Sequence, residues 1–382
     1  MNRGFIFETS RNISILGIKN SSAVLHSPGT VVLLRDAGVG RSGILGKEMA
    51  VSQHFIAWKT DESQLHNRYL YQWLQWKTTE FERMAVGSTV RTIGLPYFKK
   101  LPITLPQLKV QKRIADGLFM LDAAISSTEK LIQLTSRRKQ GLMQQLVTGR
   151  RRLKGFKGKW KSVRIGTLLE RVTRKNTTGC LTPLTVSAQR GLVEQSSYFA
   201  KQIAAADNDH YLLLKRSEFA YNRSASTGYP LGAIKRLDSF DEGIVSTLCL
   251  CFGIADEEKT DSDFLVGLIE AGLLNRELRA IAHEGARSHG LLNVTAKDFF
   301  NIRVKLPDIE EQRAMAEILR DMDTELALRR SQRDELKTQK RALMQKLLSG
   351  EWRLSEAPAQ GKSSGKKGFQ PTANVRKQLS KK

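Results

Sequence analysis

Residues 105–153 and 306–354 of this 382-residue chain align at a constant offset of 201 without a gap, and 14 of the 49 positions are identical. Both copies open on Leu-Pro (Leu105-Pro106, Leu306-Pro307). Both carry a glutamine five residues after the proline (Gln111, Gln312), an aspartate (Asp122, Asp323) and a lysine (Lys139, Lys340). Both close on Leu-Met-Gln-x-Leu-x-x-Gly. A repeat of this length limits the fold more than any composition does, because the chain must be built twice from one plan. Each copy predicts one long helix. Apolar residues step 4-3-4-3 through Ile114, Leu118, Leu121 and Ile125, then reach Ile132, Leu142 and Leu146; the same frame gives Met315, Leu319, Met322, Leu326, Leu336, Leu343 and Leu347. That 3.5-residue period is a coiled-coil seam. Pro106 and Pro307 stand where a helix can begin, and Gly149 and Gly350 where one can end. The seam is broken at Thr128, Thr135, Lys139, Arg329, Arg333 and Lys340; the two equivalent lysines predict a shared polar layer that sets register. About 40 residues at 1.5 Å each make a rod of about 60 Å, and gap-free equivalence predicts that the two helices pack on each other.

The segments between the helices also pair. Phe219 to Ile234 parallels Thr30 to Leu45, Ile244-Val-Ser-Thr parallels Ala50-Val-Ser-Gln, and Phe264-Leu-Val-Gly-Leu-Ile parallels Tyr69-Leu-Tyr-Gln-Trp-Leu. The fold class expected is α+β: two α/β globules alternating with two long helices that pair as an antiparallel coiled coil, a pseudo-twofold internal repeat. The boundaries read as a first globule at 1–104, a helix at 105–149, a basic linker at 150–159, a second globule at 160–305, a helix at 306–350 and a basic disordered tail at 351–382. The first globule is expected to be about 30 residues shorter at its front. Within it, Thr30-Val-Val-Leu-Leu and the run Met49 to Trp58 read as strands. The aromatics Tyr69, Tyr71, Trp73 and Trp76 read as the core face of a helix rather than a base-stacking platform.

Charge narrows the function. Lys and Arg number 62 against 38 acids, a formal +24, so a polyanionic partner is expected, most simply nucleic acid. Residues 150–164 alone hold eight Lys or Arg and no acid. Three cysteines without CxxC spacing argue against a disulfide frame, and no apolar run approaches the ~20 residues of a membrane span. Catalytic motifs fail. Gly38-Val-Gly-Arg-Ser-Gly43 has GxGxxG spacing after a strand, but the next residues, Ile44-Leu-Gly-Lys-Glu-Met, do not open a helix for a pyrophosphate, so a turn is expected. There is no GxxxxGK[ST], no Asx-Pro-Pro-aromatic run, and no metal-binding spacing among the six histidines.

The arrangement resembles the specificity (S) subunit of type I restriction–modification enzymes, the HsdS family, with a shortened first target-recognition domain. The likeness covers nearly the whole chain apart from the tail. It rests on LPxxxxQ opening each helix, LMQ(Q/K)L(V/L)(T/S)G closing it, Trp160 at the start of the second globule, and YNRSASTGYPLGAIKR at 221–236. The resemblance implies a non-catalytic, cytoplasmic subunit in which each globule reads one half of a split DNA site. It implies that the helices act as spacer and dock two modification (methyltransferase) subunits, which restriction (translocase–nuclease) subunits join. S-adenosylmethionine, ATP and Mg2+ then belong to those partners and no cofactor to this chain. Two unlike readers about 40–60 Å apart would meet duplex DNA one ~34 Å turn or more apart and recognise a bipartite, gapped site. Base readout needs hydrogen-bonding side chains on loops. The candidates are Arg35, Asp36 and Arg41 in the first globule and Asn222, Arg223, Ser224, Ser226 and Thr227 in the second. A second loop adds Ser88 and Arg91, and Ser288 and His289. A solvated turn is the competing reading of each, and a non-catalytic basic coiled-coil scaffold or RNA-binding protein is the competing function.

Overall fold

The computed structural model describes residues 4–177, 179–198, 210–226, 228–284, 290–354 and 376–377. The chain divides into two compact units, Met1–Ile132 with Leu328–Lys382, and Gln133–Ala327. Both long helices contribute to each.

In the first unit, β1 (Phe5–Ile6), β3 (Val31–Leu34), β4 (Ser42–Leu45) and β6 (Phe55–Trp58) form a sheet in the order β1-β4-β3-β6. β2 (Val24–His26) and β5 (Met49–Val51) make a separate antiparallel ribbon, and α1 (Ile15–Lys19) precedes them. The Val31–Leu34 run is apolar at every position because the sheet is covered there. Its cover is α2 (Asn67–Trp76), whose Tyr69, Leu70, Tyr71, Trp73 and Leu74 are buried, which bears out the core reading of the aromatics. α3 (Thr78–Met84), α4 (Leu95–Lys99) and β7 (Ile103–Thr104) lead into α5 (Leu108–Val147). The glycine-rich segment is the β3–β4 connection. Gly38 and Gly40 have φ of +131° and +90°, and a strand comes after them, so it is a turn and not a dinucleotide loop. The run read as one strand over 49–58 is two. β5 pairs with β2 and β6 with β3, and the turn Ser52–His54 separates them because the two partners lie in different sheets.

The second unit repeats this plan. β9 (Leu169–Arg171), β13 (Phe219–Asn222), β14 (Ala233–Arg236) and β16 (Leu250–Ile254) form a sheet in the order β14-β13-β16-β9. The pairings Val31↔Trp58 and Leu33↔Ile56 recur as Phe219↔Phe252 and Tyr221↔Leu250, so Phe219 stands for Val31, one residue on from the Thr30 of the sequence alignment. β12 (Leu212–Lys215) and β15 (Glu242–Val245) form the ribbon. α7 (Ser262–Glu270), α8 (Asn275–Ile281) and α9 (Ala296–Asn301) match α2 to α4, with N-caps from Asp261 to the Phe264 N–H and from Thr295 to the Asp298 N–H. β8 (Lys161–Arg164) pairs with β19 (Arg303–Leu306), which leads into α10 (Ile309–Leu348). A hairpin of β10 (Leu184–Ser187) and β11 (Gly191–Glu194), with α6 (Gln195–Tyr198) after it, closes a second apolar cluster through Leu184, Val186 and Leu192. Among the described residues the first unit has no counterpart of that hairpin. There Ile15, Leu16, Val24 and Leu25 are exposed. Of the tail, Arg376–Lys377 pairs with β7; 355–375 and 378–382 lie outside the described residues.

The helices are 40 residues each and run antiparallel in both units. In the first, Lys340 Nζ meets Asp122 Oδ1 at 2.6 Å and Lys337 meets Glu129 at 2.7 Å; in the second, Lys139 Nζ meets Asp323 Oδ1 at 2.6 Å. Lys139/Lys340 and Asp122/Asp323 are equivalent pairs at the 201 offset, so one contact is made twice with the helices exchanging roles. The expected lysine layer is therefore a lysine–aspartate lock. The helix ends enter the globule cores. Ile114, Ala115, Leu118, Met344 and Leu348 pack into the first, and Met143, Leu146, Val147, Met315, Ala316 and Leu319 into the second.

The repeated glutamine fastens each globule to its helix. Gln111 Oε1 accepts the His66 N–H (2.9 Å), and its Nε2 donates to the carbonyls of Gln64 (2.8 Å) and Pro106 (2.9 Å). Gln312 does the same with the Asp261 N–H (3.1 Å) and the carbonyls of Lys259 and Pro307 (3.0 Å each). Both are 1% exposed. A buried amide must be paired, and here it binds the loop before α2 or α7 to the first turn of the spacer helix.

Candidate nucleic-acid interface

In each unit three connections converge at one end of the sheet. In the first they are the β3–β4 loop (35–41), the β5–β6 turn (52–54) and the loop 85–94. Bridges Asp36↔Thr92 and Val86↔Thr92 and a hydrogen bond from the Ile93 N–H to the Arg35 carbonyl (3.0 Å) knit them together. In the second they are the described part of the β13–β14 loop (223–226 and 228–232), the β15–β16 turn (246–249) and Gly290-Leu291, directly before β18 (Leu292–Asn293), the strand paired with β17 (His283–Glu284). Bridge Ser224↔Leu291 and bonds from the Ala225 N–H to the Gly290 carbonyl (2.7 Å) and from the Leu292 N–H to the Arg223 carbonyl (2.9 Å) join these. The loops chosen from sequence are therefore neighbours.

Individual candidates divide into pins and free groups. Arg35 Nε donates to the Ile93 carbonyl (3.0 Å), and Arg223 Nη1 donates to the Val294 carbonyl (3.0 Å). Ile93 and Val294 are themselves equivalent at the 201 offset. Arg223 Nε and Nη2 also donate to the Leu248 carbonyl (3.0 and 2.8 Å). These two arginines tie the corner together, Arg35 through its Nε and Arg223 through both Nε and its fork. Arg91 is held in the same way. Its Nη2 donates to the carbonyls of Glu82 (2.6 Å) and Ala85 (3.0 Å), capping the end of α3. Asp36 is paired within the corner too: its Oδ2 lies 2.7 Å from His54 Nδ1. Asn222 is half-buried and its Oδ1 accepts the Ser224 N–H (3.0 Å), an Asx turn. Arg41, Ser88, Ser224 and Ser226 have exposed side chains. Ser226 and Tyr229 exchange main-chain hydrogen bonds (3.1 and 2.8 Å) that close the loop tip. Thr227, Ser288 and His289 lie outside the described residues.

The return of the 223–232 loop is held by Tyr221, whose hydroxyl donates to the Leu231 carbonyl at 2.7 Å. Burial pushes that phenol up to about 12, against the opposing charge of Arg223. Gly232 at φ +75° has no room for a side chain, since a Cβ there would sit 2.2 Å from the Asn222 carbonyl oxygen. The corner is a stiff platform carrying polar, solvated tips, which suits contact with base edges.

Two residues at this corner were not singled out from sequence: His54 in the β5–β6 turn and Leu248 in the β15–β16 turn. They come directly after the matched Val-Ser-Gln and Val-Ser-Thr triplets, and that alignment was the available signal. The basic linker is exposed at Arg150, Arg151, Lys154, Lys157 and Lys159, as a phosphate-holding strip requires. Arg152 departs from that role. Its Nε and Nη2 grip Glu311 at 2.6 and 2.7 Å, and Trp160 Nε1 donates to the same carboxylate at 3.3 Å. Among the described residues no group of three or more His, Cys, Asp or Glu could hold a metal ion, and no helix is long and apolar enough to cross a membrane.

Residues 2–136, the first globule and much of α5, match the family described as type I restriction modification DNA specificity domain. The chain is 24% identical over 352 residues to the type I restriction enzyme MjaVIII specificity subunit of Methanocaldococcus jannaschii, covering 87% of this chain and 81% of that one. It is 24% identical over 290 residues to the putative type I restriction enzyme MjaX specificity subunit of the same organism, covering 69% and 62%. Among solved structures, the type I restriction-modification system S subunit from M. genitalium shares the fold with a TM-score of 0.54 at 14% identity, over 84% of this chain and 83% of that one.

Proposed function

We propose that this chain, which belongs to the type I restriction–modification specificity-subunit family, is the subunit through which a modification and restriction complex recognises its DNA sequence. It reads duplex DNA without doing chemistry on it. Each globule presents its three-loop corner to one half of a bipartite site, and the paired helices hold the half-sites at a fixed gap and dock two modification subunits, to which restriction subunits add. S-adenosylmethionine, ATP and Mg2+ act on those partners, in the cytoplasm. Exposed cations such as Arg150, Arg151 and Lys154 hold phosphates and contribute position rather than sequence.

The observation that carries this reading is the duplicated corner. The same arginine pin, at Arg35 and Arg223, and the same glutamine anchor support loops whose exposed residues differ between the two globules. A scaffold protein has no need of two matched platforms bearing unmatched tips. The test is a binding selection on random duplex DNA with this chain co-expressed with its modification subunit. Two unlike short motifs at one fixed gap are expected. Binding without any enriched motif, fading as salt rises, refutes the proposal.

A further inference from the structure

Resting on that reading, we infer that the turns β5–β6 and β15–β16 carry a specificity position of each globule: His54 in the first, oriented by Asp36, and Leu248 in the second. The two residues are structurally equivalent. The strand registers place Ile56 opposite Leu33 and Leu250 opposite Tyr221, which sets His54 against Leu248 and Asp36 against Ser224.

In both globules the turn backbone is held while the side chain is left in water. The Arg35 N–H donates to the His54 carbonyl (2.9 Å), and the Arg223 guanidinium donates to the Leu248 carbonyl. Ser246 Oγ also accepts the Leu248 N–H (3.3 Å). Yet the His54 side chain is 57% exposed and Leu248 is 59% exposed. A leucine on a doubly tied turn with nothing packed over it contributes little to folding. It offers an apolar surface on the turn that Arg223 ties to the β13–β14 loop, the chemistry that touches a thymine methyl.

The histidine is aimed. Asp36, 18% exposed, can only accept, so His54 Nδ1 carries the proton it donates at 2.7 Å. In the neutral ring this leaves Nε2 as an acceptor facing away from the pair. An acceptor on a fixed ring matches the exocyclic amino group of adenine or cytosine in the major groove. Asp36 then acts through His54 as a positioning residue. This accounts for its place in the reading loop better than direct contact does, since a carboxylate facing DNA would be repelled by phosphates. Two globules that read unlike half-sites need positions where the frame is shared and the side chain is not, and this pair is such a position.

The test uses the full chain in its complex with the modification subunit and compares selections on random duplex DNA. The variants are His54→Ala, Asp36→Asn, Asp36→Glu and Leu248→Ala. Because the His54 and Leu248 side chains lie at the surface, His54→Ala and Leu248→Ala should melt with the parent. His54→Ala should lower preference at one base position of one half-motif by about tenfold, with the other half-motif and the gap unchanged. Asp36→Asn should weaken the same base position, and Asp36→Glu should restore part of it. Leu248→Ala should lower preference about fivefold at one position of the other half-motif. Unchanged motifs in His54→Ala and Leu248→Ala overturn the inference while leaving the specificity-subunit reading intact, as does a uniform loss of affinity over all positions. A parent complex that enriches no motif overturns the reading beneath it, and the inference falls with it.

Discussion

Removing Lys340 or Asp122 tests whether the lysine–aspartate lock sets helix register. Two unit charges about 4 Å apart attract by about 4 kcal/mol at an effective dielectric of about 20. Lys340 Nζ lies 2.6 Å from Asp122 Oδ1, with side chains 13% and 28% exposed, so the attraction is only partly screened. Desolvation and the ordering of a long lysine take back most of it, leaving a coupling of about 1–2 kcal/mol. Asp122→Ala should cost more than the coupling, about 2–3 kcal/mol, because it strands a poorly solvated ammonium. It also removes the acceptor of the buried Gln72 amide, which donates to Asp122 Oδ2 at 2.8 Å. The equivalent pair Lys139–Asp323 has the same 2.6 Å distance, but Asp323 is 58% exposed, so its coupling should stay below about 1 kcal/mol. Native-state hydrogen exchange over 118–126 and 336–344 reports local opening free energies without assuming that 382 residues unfold in one step. A double-mutant cycle through Asp122→Ala and Lys340→Ala gives the coupling, and the reversal Asp122→Lys with Lys340→Asp should regain only part of the lost protection, because a lysine at 122 cannot accept the Gln72 amide. A coupling below about 0.3 kcal/mol, or a reversal no better than either single change, would refute the lock.

Gln111→Ala and Gln312→Ala should each lower stability by about 1–3 kcal/mol, because each leaves three main-chain groups, most of them part-buried, without their partner; protection in α2 or α7 respectively should fall first, and equal loss in both units from either variant would count against local anchoring. For Asp263, burial raises the carboxyl, but hydrogen bonds from Arg236 and Arg320 outweigh it and hold the group below its ordinary value. A depressed folded value means stability present above the unfolded carboxylate range and lost as pH falls through the folded one; Asp263→Asn should therefore be destabilised near pH 7 by about 1 kcal/mol and show a flatter acid limb in a pH series of melts. Burial pushes the Cys249 thiol up to about 11 and holds Cys251 higher still; native chain at pH 7.5 should react with a thiol reagent at no more than one of its three cysteines, and rapid labelling of two or more would contradict the packing of the β15–β16 turn.

Periodicity and repetition carried far. The buried stripe Ile114, Leu118, Met315, Leu319 was legible from its period, although these residues fill the globule cores rather than a helix–helix seam alone, and the 201 offset announced the equivalence of the two halves. The Leu-Pro starts and glycine ends placed both helices to within about three residues. The tyrosines and tryptophans of α2 were readable as core for the same reason. Loop function was less legible. Arg35, Arg223 and Arg91 carry the residue type that reads bases, and only the fold shows carbonyls of distant segments waiting for their guanidinium groups. Asp36 had no visible partner until the β5–β6 turn brought His54, 18 residues away, to 2.7 Å. The chain by itself determined the features that depend on near neighbours along it: helix period, the duplicated plan, the net charge of +24 and the lack of catalytic motifs. Only tertiary structure decided which side chains are held inside the corner and which, like His54 and Leu248, are left facing water. Hydrogen-bond satisfaction depends on groups brought together across tens to hundreds of residues, and no local pattern records them.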